Sequence, residues 1–383
     1  MTKGLPAVAA AAWLTAFGAF AQDSVLCVND TPPAPSTTGL FCADPGLCPN
    51  QVKGLKYTQQ VVTYKSVDDA GACDAPGAYC PNRCTDPRAS CTNVRGGGQR
   101  CRIDLQGILF VPKPAPKSAP AVVLVTGSTA CVDSTPGSCA SSTCAPGQYP
   151  AELFCALKVD LIQHGYVVLA MYPRGYNDSF AASTGLYVAQ RVPQQVARGE
   201  PCAFLDPTAQ TSACTTVNLE DEGQQDVGDA VTYLKSHVGV DPDRIAVIGH
   251  SYGGIRTVRF NTIDFGQKAV VAIAPASESW CLGSVNNEVL QTNLFGDVDN
   301  AQTPTFFLQP RNDVNLSSTV ELSHEAGLNR QKFEAAIYPR VKDPNGNNWT
   351  YGDMAHGCFV ADQDQVDVWA PTVRDFIGRY GVK

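Results

Sequence analysis

The sequence predicts an α/β domain, a mostly parallel central sheet flanked by helices. Three observations lead there. From residue 119 onward, short unbroken apolar runs recur at 121–125 (AVVLV), 166–171 (YVVLAM), 244–249 (RIAVIG), 269–274 (AVVAIA), 305–309 (TFFLQ) and 333–338 (FEAAIY). Strands buried on both faces read this way, which is the mark of a parallel sheet covered on both sides. Between the runs, Val227, Ala230, Val231, Leu234 and Val238, then Val366, Trp369, Ala370, Val373, Phe376, Ile377 and Tyr380, fall at helical spacing. Finally, 383 residues at 44% hydrophobic and 17% charged are composed like a globular protein long enough for a large core.

The elements before residue 119 read differently. Residues 1–21 carry one charge, Lys3, then an almost wholly apolar stretch and the small-x-small Ala19-Phe20-Ala21, the pattern of a secretory signal cut after Ala21. The apolar run is shorter than the ~20 residues a spanning helix needs, and no later stretch spans a bilayer. Residues 22–54 are rich in Pro, Gly and Cys and form an irregular extension, leaving 55–383 as the main domain. Residues 57–66 and 101–111 alternate apolar with polar side chains, as half-buried antiparallel edge strands do.

Long insertions at 67–100, 130–148 and 175–219 carry most of the 16 cysteines. Cys73, Cys80, Cys84 and Cys91 could ligate zinc, but their spacing is not that of CxxC pairs. With an export signal upstream, they read as disulfides, making these disulfide-stapled insertions. A net charge of −8 with no basic run excludes the electrostatic footprint of a nucleic-acid binder.

Gly249-His250-Ser251-Tyr252-Gly253 fits G-x-S-x-G, and it stands between the run at 244–249 and a helical stretch at 254–260. A serine on a sharp strand-to-helix turn is exposed for attack, with small neighbours because nothing larger fits. Serine needs a base to take its proton, and the sequence has only five histidines. His164 precedes a strand, His237 closes a helix, and His250 is expected to point away from Ser251. His356, in the Gly-rich stretch 351–357 read as a loop before the last helix, is the candidate base, with His324 the alternative. The orienting acid belongs after a strand between serine and histidine, which selects Asp313, at the exit of 305–309. The oxyanion of an acyl-transfer intermediate needs two amides; these are assigned to Tyr252, after the serine, and Ser128, in the turn Thr126-Gly127-Ser128 after 121–125. Asp297 and Asp299 form an acidic turn read as solvated rather than calcium-binding, and no metal or organic cofactor is implied.

On VLVTGS (ending at Ser128), GYVVLAMYPRGY (165–176), DVGDAVTYLK (226–235), DPDRIAVIGHSYGG (241–254), QPRND (309–313) and AHGCF (355–359), the chain from about residue 55 resembles the α/β-hydrolase fold. Within it, the resemblance is to the dienelactone-hydrolase-like and prolyl-oligopeptidase-like branch, although dienelactone-cleaving enzymes use Cys where this chain has Ser251. The resemblance implies an ester or amide hydrolase with Ser251, Asp313 and His356 as its triad. The expectation is an exported serine hydrolase that cleaves a small-molecule carboxylic ester through an acyl-enzyme. A peptidase on short peptides is the rival, and a non-catalytic binding protein the third reading. The pocket walls are expected from 130–148, 175–219 and 276–301, with Trp280 as a wall residue or a packed one. Cys281 and Cys358, the only cysteines after Ser251, either bridge each other or each pair with a cysteine of the insertions.

Overall fold

The computed structural model describes residues 49–70, 89–93, 99–125, 127, 154–172, 216–282, 285–343, 345–348 and 352–383. The strands are β1 (Tyr57–Ala70), β2 (Ala89–Asn93), β3 (Gln99–Pro112), β4 (Ala119–Val125), β5 (Val167–Tyr172), β6 (Val240–His250), β7 (Ala269–Ile273), β8 (Cys281–Leu282), β9 (Val285–Asn286), β10 (Thr305–Pro310) and β11 (Phe333–Tyr338). The helices are α1 (Cys155–Gln163), α2 (Thr216–Ser236), α3 (Tyr252–Phe260), α4 (Glu288–Asp299), α5 (Ser317–Leu328), α6 (Gly352–Ala361) and α7 (Gln363–Arg379). Nine strands form one sheet in the order β1-β3-β5-β4-β6-β7-β10-β11, with β2 paired to β3. From β5 to β11 every neighbouring pair is parallel, whereas β1, β2 and the β3–β5 contact are antiparallel.

Alternate residues of each central strand serve opposite faces, as the pleat requires. Val122 and Leu124 of β4, Val168 and Ala170 of β5, and Ala246 and Ile248 of β6 meet Leu157 and Leu161 of α1, Phe359 of α6 and Trp369 of α7. Their neighbours Val123, Leu169 and Val247 face the other way, onto Val227, Ala230 and Leu234 of α2 and Phe260 of α3. A further cluster packs α4 and α5, through Leu290, Leu294 and Leu322, onto Ile255 of α3 and Phe307 of β10. This two-sided cover is why the strands read as unbroken apolar runs.

Several boundaries differ from the expectation. β1 and β3 pair in register from Tyr57–Pro112 to Ala70–Gln99 and so run into the insertion expected at 67–100, where β2 adds a third strand. Mutual pairing of backbone groups sustains these strands after the apolar alternation has faded. α2 begins at Thr216, inside the stretch assigned to the 175–219 insertion. The segment 276–301 is not a loop: it holds the β8–β9 hairpin and α4, whose Leu290, Leu294 and Val298 are buried. The signal segment 1–21, the extension up to residue 48, the insertion at 130–148 and most of 175–219 lie outside the described residues. Among the described residues, no helix is long and apolar enough to cross a membrane.

Candidate active site

β6 delivers Ser251 into the first turn of α3 with φ 58° and ψ −122°. A non-glycine residue in this conformation costs on the order of 1–3 kcal/mol, strain that the surrounding structure must hold. The bond from Ser251 N to Ile273 O at 2.9 Å pins the turn to β7. Gly249 supplies the room: a Cβ there would lie 2.1 Å from Thr257 Oγ1 and 2.2 Å from Gly253 O. The sequence motif is thus a packing requirement between the end of β6 and the first turn of α3.

Asp313 follows β10 and His356 lies in α6, after β11. His356 Nδ1 stands 2.9 Å from Asp313 Oδ1 and 3.1 Å from Oδ2, and both residues are buried. With Nδ1–H donated to the carboxylate, the lone pair is left on Nε2, the tautomer a general base requires. Asp313 is itself held: Oδ1 accepts from Val314 N at 2.7 Å and from Ser277 Oγ at 2.6 Å. Asn312, one residue earlier, exchanges bonds of 3.0 and 2.8 Å with the main chain of Val341, tying the turn to the chain after β11.

Residues 351–357 are expected as a Gly-rich loop, but from Gly352 on they open helix α6. Ala355, Cys358 and Phe359 recur at helical spacing and are buried, so tertiary packing overrides the low helix propensity of Gly352 and Gly357. Trp369 Nε1 donates to Phe359 O at 2.9 Å, locking α7 onto the helix that carries His356. The alternative base, His324, is exposed on α5.

His250 does not simply point away from the site. Its buried ring stacks on that of His356 at 4.4 Å between centroids, inclined by 35°. Because His250 directly precedes Ser251, the stack brings the candidate base to the neighbourhood of the candidate nucleophile. Burial, then the charge of His356, push the His250 imidazole well below its ordinary value, while a hydrogen-bonding contact with the main chain of His356 acts the other way. The folded surroundings therefore disfavour a charge on the His250 ring. No signal in the sequence marks this contact, which depends on where α6 docks.

Of the two oxyanion candidates, Tyr252 is the first residue of α3, where helix amides have no intrahelical partner. Ser128 lies outside the described residues, but its neighbour Gly127 touches the turn: a Cβ there would be 2.9 Å from Ser251 Cβ, 3.0 Å from His250 O and 3.5 Å from Ser251 Oγ. Arg256 stacks on the Tyr252 ring at 4.3 Å. Trp280 is 1% exposed and meets Phe295 edge-on at 5.7 Å, so it is a core residue and not a pocket wall. Asp297 pairs with Arg259 at 3.3 Å, which accounts for one carboxylate of the acidic turn.

No protein-family model and no curated sequence matches the chain. Solved structures similar to it share little sequence. A Bacteroides ovatus protein described as a dipeptidyl aminopeptidase IV is 16% identical with TM-score 0.49, over 85% of this chain and 36% of that one, so this chain spans about a third of its length. A Klebsiella pneumoniae protein described as a dienelactone hydrolase is 17% identical with TM-score 0.45, over 76% and 98% of the two chains. Est1E from Butyrivibrio proteoclasticus, solved with ferulic acid bound, is 13% identical with TM-score 0.45, over 73% and 96%. The architecture speaks for itself: parallel strands β5 to β11, helices on both faces and a strained serine turn from β6 into α3 make this chain an α/β-hydrolase fold.

Proposed function

We propose that the protein is an exported serine hydrolase that cleaves carboxylic esters through an acyl-enzyme. The observation that carries this reading is the meeting of a buried His356–Asp313 pair with the strained turn at Ser251, through the His250–His356 stack. His356 Nε2 takes the proton of Ser251 as the hydroxyl attacks the ester carbonyl, and Asp313 holds the imidazole in that tautomer and stabilises the imidazolium. The amides of Tyr252 and Ser128 receive the oxyanion, the alcohol leaves with the proton from His356, and water repeats the sequence to free the acid. Export rests on the signal-like segment 1–21 and on the cysteine content. Disulfide bonding at Cys155, Cys281 and Cys358 supports the same compartment.

A fluorophosphonate probe tests the reading directly: wild type is labelled at Ser251 and Ser251→Ala is not. Absence of labelling in folded wild type leaves a binding protein on a hydrolase scaffold. Turnover of p-nitrophenyl esters against aminoacyl anilides then separates ester from peptide chemistry, and faster anilide turnover makes the protein a peptidase.

A further inference from the structure

Gln309 of β10 is a fully buried amide that directly follows the apolar Phe306, Phe307 and Leu308. Its Oε1 has no hydrogen-bond partner among the described residues, an unfavourable arrangement for a buried carbonyl. Its Nε2 is fully used, donating to Ser277 Oγ at 3.0 Å and to Asn315 O at 2.7 Å. Because the Asn315 carbonyl can only accept, the amide orientation is fixed with nitrogen toward Ser277.

Ser277 Oγ accepts a second bond, from Asn315 N at 3.1 Å. Both lone pairs are then occupied and the hydroxyl proton must be donated. Two acceptors are in reach, Asp313 Oδ1 at 2.6 Å and Asn315 O at 3.2 Å. The shorter contact, to a carboxylate oxygen, takes the proton. The segment that brings Ser277 there is strained: Ala274 and Ala276 hold φ of 46° and 58°. That segment begins beside Ile273, whose carbonyl pins the Ser251 turn.

We propose that Ser277, its proton aimed by Gln309 and Asn315, is a positioning residue that locks the plane of the Asp313 carboxylate facing His356. The inference rests on the catalytic reading above. Asp313 Oδ1 takes donors from Ser277, Val314 and His356 on three sides, so the carboxylate cannot swing from Nδ1 without breaking a bond to Ser277.

The test is Ser277→Ala against Ser277→Thr, which keeps a hydroxyl. Three things are read: p-nitrophenyl acetate kinetics, the rate of fluorophosphonate labelling, and the low-field proton resonance of His356 Nδ1–H. Losing a charge-assisted bond lowers kcat by about tenfold to a hundredfold in the alanine variant. KM stays unchanged, labelling slows in parallel and the resonance moves. Threonine restores all three. Gln309→Met, which leaves every donor to Asp313 in place but frees the Ser277 hydroxyl, moves the same resonance by less. Wild-type kcat and an unmoved resonance in Ser277→Ala overturn the inference, as does a loss shared by alanine and threonine that follows thermal stability. If wild type takes no probe at Ser251, the hydrolase reading falls, while the resonance still decides whether Ser277 holds Asp313.

Discussion

Gly127→Ala probes how closely the strand β4 exit is fitted to the serine turn. Gly127 does not hold a left-handed φ, so alanine meets no conformational penalty and the effect is one of space alone. The new Cβ would sit 2.9 Å from Ser251 Cβ and 3.0 Å from His250 O. Carbon atoms rest at about 3.5–4.0 Å, so the β4 exit and the turn must separate by roughly 0.6–1 Å. On the proposed mechanism, that displacement shifts the Ser251 turn away from the β4 exit and so disturbs the oxyanion geometry. A misplacement near 1 Å at reacting atoms costs on the order of 10²-fold, so kcat falls by about tenfold to a hundredfold. Overpacking also removes about 1–3 kcal/mol of stability, which a melting curve registers without loss of the fold at assay temperature. The assay is steady-state hydrolysis of p-nitrophenyl acetate, with each preparation normalised by fluorophosphonate-reactive sites. An unchanged kcat in a fully folded Gly127→Ala protein refutes the argument, because it means the β4 exit takes no part in holding the reacting carbonyl.

Ser251→Ala abolishes turnover without unfolding the protein, as far-ultraviolet circular dichroism will show, and Asp313→Asn lowers kcat by on the order of 10⁴ by favouring the wrong imidazole tautomer. His324→Ala, on the exposed face of α5, keeps wild-type activity; a dead His324 variant moves the base assignment away from His356. His250 gives an acid-side stability signature: folded, its imidazole stays below the ordinary value of 6.5 mainly because it is buried. The unfolded chain therefore binds a proton that the folded one refuses once pH drops below about 6.5. Stability is intact above that pH and declines by up to about 1.4 kcal/mol per unit below it. His250→Phe flattens this limb of the Tm–pH curve, and an identical limb in both proteins removes the assignment. Non-reducing peptide mapping tests the Cys281–Cys358 bridge, which would restrict the unfolded chain by about 4 kcal/mol. A peptide joining Cys281 to any other cysteine ends that proposal.

What the sequence made legible was whatever its local pattern determines. Continuous apolar runs located β4 to β7, β10 and β11, because burial on both faces leaves no polar position to break the run. The Ser251 turn was readable because its steric demand falls on neighbours in sequence, Gly249 above all. Asp313 and His356 followed from chain order and from the scarcity of histidines. The rest needed the fold. Nothing local announces that His250 stacks on a residue 106 positions later, or that Gln309, one polar residue at the end of an apolar strand, aims the hydroxyl of Ser277. Helix α6 was hidden because Gly352 and Gly357 argue against a helix, and only the packing of Ala355, Cys358 and Phe359 outweighs them.

The growth of the sheet has a biosynthetic consequence. β6, β7, β10 and β11 lie side by side in the order in which they leave the ribosome. Each extends the sheet outward by one strand, and Ser251, Ser277 and Asp313 arrive with the first three. His356 comes last, on a helix that depends on α7 docking against α1, where Arg374 meets Asp160 at 2.8 Å. On the proposed mechanism, a nascent chain carries a nucleophile, its cradle and its acid while it still lacks a base. Hydrolytic power then waits for the segment after β11, so chains interrupted or clipped ahead of residue 352 are inert toward the esters around them.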